Sequence, residues 1–201
     1  MKLQKYYLEE KCLIFLYILS FSMKRVNINT FKRYLYLYYL SSSFFKKGSE
    51  DLAIEIDKGN IEIPYLKIIF NELCLKHYIE IRQNEIIIRD ELVENISRFI
   101  NNSVNKGMVY DLYSEIKPFI NLLISYDEEF IFTIFFSEPT FKEANARNLE
   151  SIEISDSKLA KLLNEFKSRL NDMKIDNYDI LAYWMKFILK NYYRGEEKNN
   201  E

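Results

Sequence analysis

Side chains able to do covalent or metal chemistry are few in this sequence and stand apart from one another. The single His, His77, has no Ser, Cys or second His at a spacing that would make it the base for a nucleophile, so it reads as a packed or capping residue. Cys12 and Cys74 lie in apolar periodic segments, far apart, and read as free thiols of a reducing compartment. Carboxylates stand together at Glu128-Glu129 and at Glu55 and Asp57, without the His partners or the separation that metal-assisted hydrolysis needs. The glycines are dispersed (Gly48, Gly59, Gly107, Gly195), which excludes a phosphate-cradling loop. No catalytic, metal-ligating or cofactor-binding residue is assigned. The expectation is a protein that is not an enzyme, with no cofactor and no small-molecule substrate.

Composition narrows the architecture. The chain has 201 residues, 48% of them hydrophobic, with 16 Tyr and 15 Phe but only 4 Gly and 3 Pro. So few breakers among so many Leu, Ile, Lys and Glu predict a mainly α-helical protein and exclude collagen-like, disulfide-stapled and disordered classes. The apolar run Leu13 to Leu19 follows Glu9 and Glu10, which interrupt a secretory leader pattern, and no run reaches the roughly 18 apolar residues of a bilayer span. A cytoplasmic protein without a membrane partner is expected.

The net charge of −2 conceals an asymmetry. Residues 1 to 50 carry nine Lys or Arg against three acids, a net of +6, so the remainder carries −8. Its densest acidic stretch runs from Asp127 to Asp156 and includes Glu138 and Glu143. These are ordinary solvated helix faces or, alternatively, one basic and one acidic docking surface.

Periodicity supplies the elements that would position such surfaces. Residues 3 to 22 and about 30 to 43 read as helices apolar on most of their circumference, the second capped by Asn29 or Thr30. Leu52 to Asp57 alternates as a strand, with a turn at Lys58-Gly59-Asn60 and Ile61 to Ile63 after it. A helix over 65 to 76, with Pro64 at its start, leads into Tyr78 to Arg82 and Glu85 to Arg89. If Gln83-Asn84 is the turn, Ile81 opposes Ile86, Ile79 opposes Ile88, and Arg82 faces Glu85 as a cross-strand ion pair. Further helices are expected at about 91–104, 109–125, 127–136, 140–148, 157–172 and 177–193, Asp127 and Asp176 being N-caps, with an isolated strand at 152–154. The domain reading is a helical pair plus winged-helix-like module over 1–90, a helical half over 91–193 packed on it, and a disordered tail at 194–201.

A helix followed at once by a two-stranded hairpin is the mark of a winged helix. A DNA-reading module of this kind needs cations on the third helix and in the wing. The candidates here are Lys67, Lys76 and Arg82, and the wing pairs its two Arg with Glu80 and Glu85. With so little excess positive charge the module should bind duplex weakly alone. The candidate partner-interface residues are the large aromatics of segments apolar beyond one helix face: Tyr34, Tyr38, Phe132, Phe135, Phe136 and Trp184.

The order of these elements, from the aromatic helix Phe31-Lys32-Arg33-Tyr34-Leu35-Tyr36-Leu37-Tyr38-Tyr39-Leu40 through Ile61-Glu62-Ile63-Pro64-Tyr65-Leu66-Lys67 into helix, hairpin and an all-helical end, resembles the middle components of bacterial three-component systems built around an SMC-like or ABC-type ATPase, the Lamassu-type defence systems among them. The resemblance implies a non-catalytic subunit bridging the ATPase and an effector such as a nuclease, with any DNA contact made through the complex. A winged-helix accessory subunit of a condensin-like complex shares this layout. A winged-helix transcriptional regulator is the reading from a different functional class.

Overall fold

The computed structural model describes residues 2–45, 53–57, 60–101, 108–169 and 175–199. In chain order these contain α1 (Lys2–Leu19), β1 (Arg25–Asn27), α2 (Ile28–Phe45), β2 (Ala53–Asp57), β3 (Asn60–Glu62), α3 (Leu66–Leu75), β4 (Ile79–Arg82), β5 (Glu85–Ile88), α4 (Asp90–Asn101), α5 (Met108–Ile124), α6 (Glu128–Ser137), α7 (Pro139–Ala146), β6 (Ser151–Glu153), α8 (Lys158–Arg169) and α9 (Asn177–Asn199). The protein is mainly helical with small antiparallel sheets, as its composition predicts. No helix among the described residues is long and apolar enough to cross a membrane. The expected turn at Lys58-Gly59 lies outside the described residues, and α9 runs past the expected end at 193 to Asn199.

Two compact units interleave along the chain, Met1–Lys32 with Glu62–Ile124 and Arg33–Ile61 with Ser125–Glu201. The division therefore does not follow the sequence halves, because α4 and α5 pack on α1.

In the first unit, α1 is buried on nearly every side from Ile14 to Leu19, where α3, α4 and α5 converge on it. Phe31, in the first turn of α2, stacks edgewise on Phe15 at 6.2 Å and lies 5.7 Å from Phe70 of α3. The hairpin forms in the expected register, with Ile81 opposite Ile86, Ile79 opposite Ile88 and Arg82 opposite Glu85. Gln83 and Asn84 both take left-handed backbone angles (φ 48° and 68°), the geometry of a two-residue turn that matches strand twist. The expected ion pair across it does not form: Arg82 turns to Glu80 on its own strand, and Glu85 is approached by Arg25 at 3.9 Å. Arg25 belongs to a strand the sequence pattern did not reveal, β1, which pairs antiparallel to β5 through Val26 and Ile86. The sheet order is β1-β5-β4. The cap of α2 is Asn27, whose side chain accepts the Asn29 N–H at 2.8 Å, rather than Asn29 or Thr30. His77, left-handed at φ 59°, ends α3: its N–H donates to the Cys74 carbonyl and the Tyr78 N–H to that of Leu73, both at 3.0 Å.

In the second unit β6 is not isolated but pairs antiparallel with β2, placing Ile54 opposite Ile152, both buried. Asp127 caps α6 by accepting the Phe130 N–H at 2.7 Å, and Asp176 accepts that of Tyr178 at 2.7 Å. Ser157 accepts the Ala160 N–H at the start of α8 and donates its hydroxyl to the Leu40 carbonyl at 2.7 Å. Glu138, an acid in a stretch expected to be solvated, is fully buried. Its carboxyl caps α7 by accepting from the Thr140 and Phe141 amides (2.9 and 2.7 Å), the Thr140 hydroxyl (2.7 Å) and the Tyr36 hydroxyl (2.8 Å).

Burial pushes the Glu138 carboxyl above its ordinary range, and the four hydrogen bonds pull it part of the way back. The folded state then holds a proton at pH values where the unfolded chain has lost it, so stability falls as pH rises from the ordinary carboxyl range through the folded-state value. We expect the urea midpoint of the native protein to decline over that interval relative to Glu138→Gln, which cannot ionise; a pH-independent difference would refute the linkage. Glu138→Ala should cost about 2–4 kcal/mol at pH values up to the ordinary carboxyl range, since it takes the acceptor from two amides and two hydroxyls, and the cost should shrink as pH rises further.

Candidate interaction surfaces

In the first unit, α3 turns Leu66, Ile69, Phe70 and Leu73 inward. That spacing leaves Lys67, Ile68, Asn71 and Leu75 on the outer face. Two of these four are large aliphatics, Ile68 at 50% exposure and Leu75 at 81%. A helix that reads base edges presents amides and cations there instead. Of the three cations singled out in the sequence, Lys76 donates to Glu9 at 2.8 Å, a bond that holds its pKa above the usual lysine value. Arg82 is bound by Glu80, which also holds Arg89. Of the three only Lys67 has no ion pair among the described residues, so two of them are engaged by carboxylates.

Part of the positive charge of residues 1 to 50 is met in the same way. Lys5 pairs with Glu72, Lys24 with Asp90, Arg25 with Glu85 and Lys32 with Glu62, each acid coming from the acidic remainder of the chain. Four of the nine cations of residues 1 to 50 are thus paired within this unit, and Lys46 and Lys47 lie outside the described residues.

Beside α3 an open groove of about 780 Å³ runs between Asn71, Cys74 and His77 on the helix side and Ile79 to Ile81 of β4 on the other, with Glu91 at one end. Cys74 is free and half-buried there. Cys12 is free and fully buried, and burial raises its thiol pKa far enough to make it unreactive. No group of three or more His, Cys, Asp or Glu among the described residues could hold a metal ion.

In the second unit, most of the aromatics expected at an interface are interior. Tyr34, Tyr38, Phe135 and Trp184 are buried and Phe136 is half-buried. Burial, reinforced by Glu128, pushes the Tyr34 hydroxyl up to about 12. Phe132 alone of the six is exposed, at 46%, with the Arg33 guanidinium 4.7 Å above its ring. Burial lowers the Arg33 pKa from its usual value and Glu128 opposes the shift.

Other exposed large side chains of this unit include Leu162 and Phe166 on α8 and Tyr183 and Phe187 on α9. The sequence marks the segment that holds Tyr183 and Phe187 as apolar beyond one face, with Trp184 as its candidate, and marks nothing on α8, which is poor in aromatics. The available signal was their spacing: each pair stands at i, i+4 on the flank of a buried stripe, Leu159 with Leu163 and Ile180 with Trp184.

No protein-family model matches the chain, and comparison with curated proteins and with solved structures finds no match.

Because Glu80 holds two guanidinium groups, Glu80→Gln should free both for phosphate. The expected result is weak duplex DNA binding by the native protein and a log Kd against log salt slope steeper by up to about 2 in the variant. Fluorescence anisotropy over a salt series measures it. Strong, steeply salt-dependent binding by the unmodified chain would contradict the neutralised-wing picture.

Proposed function

We propose that this chain is a non-catalytic structural and regulatory subunit that contacts other proteins through a winged-helix module, and that it serves in the kind of assembly its layout resembles, between an SMC-like ATPase and an effector. Support for the winged helix comes from the order α1-β1-α2-α3-β4-β5 with sheet order β1-β5-β4, the segment carrying β2 and β3 being inserted between the second and third helices. In this reading β1 is the strand that closes the wing, the piece the sequence pattern lacked.

The observation that carries the choice of protein over DNA is the outer face of α3. Exposed Ile68 and Leu75 occupy the place of base-reading side chains, and the neighbouring Arg82 and Arg89 are held by Glu80. Exposed aliphatics on a rigid helix lose water favourably against an apolar partner surface and gain nothing from a phosphate backbone. Contact with DNA would come through the ATPase, and the chemistry of ATP hydrolysis and of the effector would lie in the other chains.

Co-expression with the proteins encoded beside it tests this reading. The expected outcome is a co-purifying complex that includes a coiled-coil ATPase. The double change Ile68→Asp and Leu75→Asp should lower recovery of that complex at least tenfold, while the melting temperature stays within a few degrees because both side chains are already exposed. A monomer that co-purifies with none of its neighbours would overturn the proposal. Duplex binding abolished by Lys67→Ala would return the DNA-binding regulator in its place.

A further inference from the structure

We propose that the outer face of α3 docks an amphipathic helix of a partner protein, laid along α3, whose apolar residues recur every three or four positions and which sets an acidic side chain against Lys67. The inference rests on the protein-contact reading above and deepens it by naming the form and the charge of the partner.

The spacing of the exposed aliphatics selects a helix. Ile68 and Leu75 are 50% and 81% exposed and stand two turns apart on α3, so they share one face. With a rise of about 1.5 Å per residue, the two lie about 10.5 Å apart along the axis. A second helix lying nearly parallel repeats its own apolar face over the same seven-residue interval and so meets both. An extended strand returns a side chain to one face about every 6.8 Å, and neither one nor two of those steps fits the interval.

The two flanks of this ridge differ in charge. Toward α1 the flank is closed, because Glu72 pairs with Lys5 and Lys76 with Glu9. The helical repeat puts Lys67, Asn71 and Cys74 on the other flank, beside the groove. Lys67 is exposed and pairs with no acid among the described residues. In the groove Glu80 is held by Arg82 and Arg89 and Asp90 by Lys24, while Glu91 meets no cation among the described residues. One acid placed opposite Lys67 therefore gains an ion pair. A run of acids, or a phosphate backbone, would also meet Glu91 and be repelled.

Random peptides of about 20 residues, long enough for five helical turns, are displayed on phage and selected on the full chain to supply the probe. The expected sequences place apolar residues three or four apart over at least two turns, carry an acid on one flank, and gain helical circular dichroism on binding. Ile68→Asp and Leu75→Asp should each lower their affinity about tenfold or more. Both side chains are exposed, so the fold should be kept, which the melting temperature checks; should an aspartate variant not fold, Leu75→Ala takes its place with a loss of several fold. Lys67→Glu should weaken the selected peptide, and exchanging the peptide's acid for Lys should restore the affinity, a rescue that packing alone would not give. Enrichment of no peptide, enrichment of peptides with a two-residue apolar period or no gain of helix, or helical binding that ignores the substitutions at Ile68 and Leu75 would each overturn the proposal. A complex lost on the double aspartate change while the selected peptides bind as strands would remove the helix and leave the contact reading standing, so the two proposals fail separately.

Discussion

From Tyr34 to Ser42, helix α2 has no face toward water. An ordinary surface helix buries a stripe and solvates the rest; a helix of nine buried residues needs neighbours on every side, and segments distant in sequence must supply them. The second unit is built to that requirement. Glu138 reaches the Tyr36 hydroxyl, Ser157 reaches the Leu40 carbonyl, the Asn177 amide reaches the Phe44 carbonyl at 3.1 Å, and Tyr178 stacks on Phe45 at 4.5 Å. Polar groups carried into this interior must be satisfied there. The hydroxyls of Ser41 and Ser42 return to the Leu37 and Tyr39 carbonyls of their own helix, and Glu138 exchanges solvation for four hydrogen bonds. The unit therefore depends on a small buried polar network as much as on its aromatic packing.

In the first unit, charge does what buried polarity does in the second. Ion pairs tie α1 to α3 twice, through Lys5 with Glu72 and Lys76 with Glu9, and the chain before β1 to the start of α4 through Lys24 and Asp90. Each is at least partly solvated and contributes little alone. They also engage cations that would otherwise be free to meet a phosphate backbone. The outer face of α3 keeps Ile68 and Leu75 exposed beside Lys67 and Asn71.

Local pattern was sufficient for some features. The hairpin register could be read from Ile79, Ile81, Ile86 and Ile88 because side chains alternate strictly along a strand, and any slip would turn four isoleucines to the wrong face. The Asp127 cap was legible for a similar reason, since the interaction closes within three residues. By contrast β1 is only three residues long, and nothing in Arg25-Val26-Asn27 marks it until β5 is beside it. Burial of Tyr34, Tyr38, Phe135 and Trp184, rather than presentation to a partner, was equally illegible: an aromatic-rich segment looks the same whether its own chain or another covers it.

By itself, then, the sequence determined that this is a mainly helical protein, where its helices and its hairpin lie, and that its chemistry-bearing side chains are scattered. Those properties follow from spacing, capping and turn geometry, all of which act over a few residues. Tertiary structure alone decided that the chain folds as two interleaved units, that Lys5, Lys24, Arg25 and Lys32 of the basic start meet distant acids, that Glu138 belongs to the interior, and which aliphatics remain exposed. Each of those depends on what surface arrives opposite a residue, and burial and ion pairing are properties of the pair rather than of either member.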